Sequence, residues 1–273
     1  MSRTVRGARV LITGATRGMG ALFARRAADE GASELTLWGR DAAALERSAA
    51  GLARPGLRVR TDVVDLTDLA AIDDAARSVL AGNATPDVLV NNAGVITGNG
   101  YFWEQNPREA EETLLVNTLA PMRLVSHLLP AMIADADRPK RVLNVASAAG
   151  LVPNPRMAAY AASKAAALTW SDILRLELEQ ADHGHVLVTT FCPSYVSTGM
   201  FAGAGAVRMT PALRPERAVD QAWRGMLAGR PFVITPPGVH LGRAARGMLP
   251  ARAWDAMARV FGVHGSMESF TGR

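Results

Sequence analysis

Leu11-Ile12-Thr13-Gly14-Ala15-Thr16-Arg17-Gly18-Met19-Gly20 is the stretch that decides the fold. Its first residues close an apolar run at 8–13, and a helical pattern opens near Gly18. Gly14, Gly18 and Gly20 stand in a G-x-x-x-G-x-G spacing, a variant of the G-x-G-x-x-G turn that joins a strand to a helix. Glycine lets the backbone turn tightly there. The alternation continues outward. Short apolar, β-branched runs at 8–13, 34–38, 57–63, 87–91, 140–146, 185–191 and 232–235 predict strands. Between them lie helical patterns near 19–30, 41–52, 67–80, 107–134 and 157–180. Such alternation predicts an α/β fold, a Rossmann-type doubly wound sheet of seven parallel strands with helices on both faces. Ligands of such a sheet sit outside the carboxyl ends of its strands.

The 273 residues, 49% hydrophobic, fill one sizeable core, and no repeat or long linker divides them. One domain spanning 1–273 is expected. The single cysteine, Cys192, excludes an intrachain disulfide and favours a reducing compartment. Met1-Ser2-Arg3-Thr4-Val5-Arg6 runs straight into the first strand, so neither a signal peptide nor a membrane span is expected, and a cytoplasmic location follows. The 30 Lys and Arg residues, almost all Arg, are interleaved with 25 Asp and Glu. That net charge of +5 reads as a solvated surface and not as a nucleic-acid site.

Two segments break the pattern. Residues 193–217 are rich in Gly, Ala, Ser and Pro without a period, which predicts a mobile lid. Residues 239–261 carry Leu241, Met248, Leu249, Trp254, Met257, Val260 and Phe261 between Arg243, Arg246, Arg252 and Arg259. Leu249-Pro250 should split them into two short helices. Their apolar face is expected to close over a bound substrate or a neighbouring subunit. Peripheral contact with lipid headgroups is the competing reading.

Tyr160 and Lys164 are four apart and share one helix face. An ammonium beside a phenol lowers its pKa, as proton exchange with an alcohol or carbonyl oxygen requires. Ser147 can donate a hydrogen bond to the same oxygen. His127, His183, His185, His240 and His264 show no metal-ligand spacing, so no metal is expected.

In these motifs the chain resembles the short-chain dehydrogenase/reductase family of classical type. Thr13–Gly20 resembles its T-G-x-x-x-G-x-G, Asn91-Asn92-Ala93-Gly94 its N-N-A-G, and Asp65-Leu66-Thr67-Asp68 its D-[VL]-[TS]-D. Tyr160 and Lys164 match Y-x-x-x-K, with Ser147 and Asn117 at the expected places. The resemblance implies a nicotinamide dinucleotide held by Gly14, Thr16, Arg17, Gly18, Met19 and Gly20. Asp65 and Leu66 would hold the adenine end, and Asn92, Ala93 and Gly94 would line the cofactor. Pro193, Val196 and Thr198 would contact the nicotinamide end, although Ser194 replaces the family's usual Gly. It implies Tyr160 as acid/base, Ser147 as the group orienting the substrate oxygen, and Asn117 as holder of a water in a proton relay. Lys164 would bind the nicotinamide ribose and lower the Tyr160 pKa. It also implies a homodimer or homotetramer through the long helices at 107–134 and 157–180.

An Asp or Glu ending the second strand would favour NAD. Gly39 stands there, followed by Arg40, with Arg17 in the glycine turn. Two guanidiniums suit a 2′-phosphate, so NADP (NADPH) is expected over NAD. The competing reading has the arginines solvated, or Arg40 neutralised by Asp41. The last third, 192–201 above all, resembles the retinol and hydroxysteroid dehydrogenase branch. Leu151, Val152, Met157, Tyr195, Met200 and Phe201 are the candidate pocket residues, and a bulky, uncharged ketone, aldehyde or alcohol is the expected substrate. A non-catalytic NADP-binding sensor or scaffold is the alternative, disfavoured because Asn117, Ser147, Tyr160 and Lys164 are all present.

Overall fold

The computed structural model describes residues 4–272, so Met1, Ser2 and Arg3 of the N-terminal run and Arg273 lie outside the described residues. Seven parallel strands form one sheet in the order β3-β2-β1-β4-β5-β6-β7. They are β1 (Arg9–Thr13), β2 (Glu34–Gly39), β3 (Arg58–Val63), β4 (Val88–Asn91), β5 (Lys140–Val145), β6 (Val186–Pro193) and β7 (Phe232–Thr235). The central strands β4 and β5 are buried along their whole length, as parallel strands covered on both faces must be. The edge strand β3 alternates Arg, Thr and Asp with Val and is part exposed, which blunts an otherwise open edge.

Helices α1 (Gly18–Asp29), α2 (Ala42–Leu52) and α7 (Pro215–Leu227) cover one face, packing Phe23, Leu45 and Trp223 on it. Helices α3 (Leu69–Ala81), α5 (Ala120–Ala134) and α6 (Ala158–Gln180) cover the other, with Ile72, Leu128 and Leu174 inward. Local chemistry sets several of their starts. Asp41 accepts from Ala44 N at the head of α2, and Asp68 from Ala70 N and Ala71 N at the head of α3. These contacts satisfy donors that the first turn leaves unpaired.

Three expectations need correction. The single helix expected at 107–134 is α4 (Pro107–Leu114) and α5 joined by a π-helical turn, Leu115–Leu119. An apolar run does not distinguish the two periods, and π turns often mark functional sites. The irregular segment is shorter than 193–217, because Pro193 ends β6 and Pro215 opens α7. Proline is well placed at the first turn, where its missing N–H has no partner to lose. Helix α7 itself was not expected, although Ala218, Val219, Ala222, Trp223 and Met226 carry a helical period. The predicted break at Leu249-Pro250 is present, between α8 (Gly238–Met248) and α9 (Ala251–Val260). No helix among the described residues is long and apolar enough to cross a membrane.

A buried charge cluster ties the amino ends of the strands together, opposite the end where the motifs gather. Lys140 Nζ, fully buried, donates to Asp87 Oδ1 at 2.7 Å and to Asp135 Oδ2 at 2.6 Å. Asp87 Oδ2 also accepts from Arg9 N at 2.8 Å. One cluster thereby links the starts of β1, β4 and β5 to the end of α5. Removing one partner of such a pair strands a buried charge. Lys140→Ala should therefore lower unfolding stability by on the order of 3–5 kcal/mol in a denaturant titration. Arg54→Ala, which breaks the surface pair with Asp29, should move the midpoint far less.

Candidate active site

The strand order reverses between β1 and β4, and the carboxyl ends of these two strands are bonded to each other. Thr13 Oγ1 accepts from Asn92 N and Ala93 N, both at 3.1 Å. Asn92 Nδ2 donates back to Thr13 O at 3.1 Å and Gly14 O at 3.2 Å. Gly14, at φ +65°, turns the chain in the left-handed region. A Cβ on Gly20 would lie 2.0 Å from Gly14 O, so α1 sits directly on the turn. Arg17 at the N-cap of α1 gives no side-chain cap, and the first turn holds no acidic residue. A helix head of this kind, with first-turn N–H groups and the positive end of the dipole, suits an anion.

A cleft of about 680 Å³ opens at this point. Gly14, Thr16, Arg17, Gly18 and Met19 line it from the first turn, Arg40 from beyond β2, and Asp65 and Leu66 from beyond β3. Asn92, Ala93 and Gly94 follow from β4, Tyr160 and Lys164 from α6, and Pro193, Val196 and Thr198 from the end of β6 and beyond. Gly20 alone of the expected cofactor residues does not face the cleft; its place is the contact with Gly14. Asp41 lines the cleft beside Arg40, and its Oδ1 accepts from Ala44 N at the head of α2; no ion pair between the two is formed among the described residues. The sequence reading missed Thr271 and Gly272, which reach the cleft from the C-terminal tail. No local signal marks them. Tertiary bonds bring them there, from Asn99 Nδ2 to Met267 O and from Thr271 N to Ala202 O.

Ser147 caps the short 3-10 turn Ala148–Gly150, accepting from Ala149 N at 3.1 Å. A Cβ on Gly150 would lie 2.9 Å from the Lys164 carbonyl, so this turn lies flat on α6. Tyr160 and Lys164 are both buried, and Lys164 Nζ donates to Val145 O at 2.9 Å. Burial pushes the Tyr160 phenol up to about 12, against the opposing effect of a hydrogen bond with Ser147. Burial also pushes Lys164 down to about 8. The expectation that Lys164 lowers the Tyr160 pKa is thus not met in this structure. The ammonium is 6.0 Å from the ring centroid, and the largest effect on the phenol is its burial.

Asn117 sits in the π turn. Its Oδ1 accepts from Val95 N at 2.8 Å, and its Nδ2 donates to Val95 O at 2.8 Å and Ser163 Oγ at 3.1 Å. The side chain therefore clamps the loop after β4 to α6, one residue before Lys164, and both its amide protons are committed there. Behind it runs a buried polar chain that the sequence reading missed. Asn91 Nδ2 donates to Asn144 Oδ1, Asn144 Nδ2 donates to Ser171 Oγ, and Ser171 meets Thr190 Oγ1. The signal was available: Asn91 ends the apolar run of β4, Asn144 stands one residue before the end of β5, and the two pair in register.

A second cavity of about 210 Å³ adjoins the cleft, and Ser147 and Phe201 line both. Its walls are largely apolar. Val152, Met157, Tyr195 and Phe201 line it as expected, together with Val239 and Leu241 of α8 and Trp254 and Met257 of α9. Met200 faces the cofactor cleft instead. Leu151 lines neither cavity; it follows the 3-10 turn, and its carbonyl accepts from Arg246 Nη1. The Phe201 ring meets Tyr160 edge-on at 5.9 Å and Tyr195 at 5.1 Å. Among the described residues, no group of three or more His, Cys, Asp or Glu gathers as a metal site.

The short chain dehydrogenase family model matches residues 8–207. Human estradiol 17-beta-dehydrogenase 11 is 34% identical over 261 residues, 96% of this chain and 85% of that protein. A short-chain dehydrogenase from Sphingobium yanoikuyae, solved with NADPH, is 31% identical with a TM-score of 0.74, covering 96% of each chain. A relative from Burkholderia phymatum, solved with NAD, is 26% identical with a TM-score of 0.79, covering 89% of this chain and 94% of that one. The glycine floor and the uncapped head of α1 fit a dinucleotide. Gly20→Ala cannot keep the contact with Gly14 and should raise the dinucleotide dissociation constant by about tenfold or more. Fluorescence titration of the folded variant checks this.

Proposed function

Since the chain belongs to the short chain dehydrogenase family of oxidoreductases, we propose that it interconverts a bulky, uncharged ketone or aldehyde and the corresponding alcohol, with NADP(H) as cofactor. One observation carries the reading. Ser147 stands where the glycine-floored cleft meets an apolar pocket, so a carbonyl seated there is reached from both. A nicotinamide cofactor held by this cleft would supply or take up the hydride. Tyr160 donates the proton to the carbonyl oxygen in reduction and accepts it in oxidation. Ser147 donates a hydrogen bond to the same oxygen as charge develops. Lys164, whose ammonium lines the cleft, would hold the ribose hydroxyls of that cofactor. Helices α8 and α9 supply a dry wall for an apolar body, in keeping with a relative named as an estradiol dehydrogenase.

Solved relatives bind NADPH and NAD, so the preference rests on this chain's own residues. Arg17 and Arg40 edge the cleft, and no carboxylate ends β2. A Cβ at Gly39 would press to 3.1 Å from Thr16 Cγ2, which leaves little room for an acid. Arg40→Ala should weaken NADPH far more than NADH, by about 10–100-fold in the ratio of kcat/KM, the scale of one charge-assisted phosphate contact. An unchanged ratio would show that Arg40 does not read the phosphate.

The pH dependence follows from the two shifts. In the free protein burial raises the Tyr160 pKa to about 12, which suits the proton-donor role in reduction, whereas Lys164 loses its charge as pH rises through about 8. Since kcat/KM reports groups of the free enzyme, carbonyl reduction should fall as pH rises through that value. A profile flat to pH about 10 would show that the Lys164 charge is not required.

A further inference from the structure

We propose that Asn154, fixed by Tyr195 and Ser266, is a specificity-determining residue that accepts a hydrogen bond from a hydroxyl or N–H on the substrate, separate from the reacting carbonyl. The inference rests on the pocket beside Ser147 being the substrate site. Asn154 and Tyr195 bring polar atoms to that largely apolar wall. Asn154 Nδ2 lies 2.9 Å from Tyr195 OH and 3.0 Å from Ser266 Oγ, and these two oxygens are 2.9 Å apart.

Proton counting fixes the direction of each bond. Ser266 has one hydroxyl proton and donates it to Val263 O at 2.8 Å. Tyr195 must then be the donor to Ser266 Oγ. Burial raises the Tyr195 pKa, so that proton stays in place. The Tyr195 oxygen and Ser266 Oγ both face Asn154 Nδ2 as acceptors. Both oxygens lie within bonding distance of Nδ2, so turning the amide over would take the donor away from both. Among the described residues no donor bonds Asn154 Oδ1, which keeps two lone pairs. Ser266 is buried and does not line the pocket, so it acts only through its two partners and is a positioning residue.

An oxygen held this way at an apolar wall favours a ligand that brings a donor and disfavours one of the same shape that brings none. The distinction concerns ground-state binding, so it should appear in KM with kcat little changed.

The test compares para-hydroxybenzylacetone with its methyl ether, which cannot donate, on wild type and on Asn154→Leu, Ser266→Ala and Ser266→Thr. Wild type should favour the phenol by about tenfold or more in kcat/KM. Asn154→Leu should bring that ratio to about one. Ser266→Ala should reduce the ratio, and Ser266→Thr, which keeps the hydroxyl, should restore it. Calorimetric binding of both compounds separates the two claims. If wild type turns over neither ketone yet binds the phenol more tightly in an Asn154-dependent way, the reductase reading fails and this one stands. Equal binding of the pair, a preference that survives Asn154→Leu, or no binding of the phenol to wild type would overturn it.

Discussion

Four hydrogen bonds between Thr13–Gly14 and Asn92–Ala93 hold the point on which the site depends. The sheet reverses its winding between β1 and β4, and helices leave these strands toward opposite faces. Two loops diverging from one point create a crevice but do not fix its width. The threonine hydroxyl and the asparagine amide fix it, by joining the loops through backbone groups that no strand pairs. With that seam closed, α1 can rest on Gly14 through Gly20, and its uncapped amino end points into the cleft.

Burial organises the other wall. The chain has two lysines, Lys140 and Lys164, and both are buried. They sit at opposite ends of the sheet and are treated differently. Lys140 has two carboxylates against its ammonium, which makes it a fastening. Lys164 has a carbonyl and a neighbouring phenol and no carboxylate, so desolvation draws its pKa toward neutrality. An ammonium left without a counter-charge is available to a ligand's hydroxyls, as that of Lys140 is not. The π turn serves the same wall, because Asn117 fixes the loop beside Gly94, where any Cβ would crowd Lys164 Nζ.

Much of this was legible because its signals are local. A glycine turn between a strand and a helix, a Tyr and Lys four apart, and a proline after Leu249 each fix geometry within a few residues. What escaped was tertiary or electrostatic. Lys140 and Asp87 open strands, and a charge at a strand end reads as surface until two neighbouring strands bring opposite charges together. Thr271 and Gly272 reach the cleft only through the fold of the tail. The pKa expected for Tyr160 came from its spacing to Lys164 alone. Spacing placed the two on one helix face but said nothing of the solvent both would lose. Gly20 shows a subtler limit: the motif was right, but this glycine serves helix packing and not the ligand directly.

The central claim is that Ser147, Tyr160 and Lys164 at this junction make a hydride-transfer site with Tyr160 as proton donor. Reduction of a bulky aryl ketone with NADPH deuterated at the transferring position of the nicotinamide tests it directly. The account predicts an alcohol with deuterium on the carbinol carbon, in one enantiomer, and loss of nearly all turnover in Tyr160→Phe while NADPH still binds. An unlabelled alcohol, or a Tyr160→Phe variant retaining more than about a tenth of wild-type kcat, would contradict it.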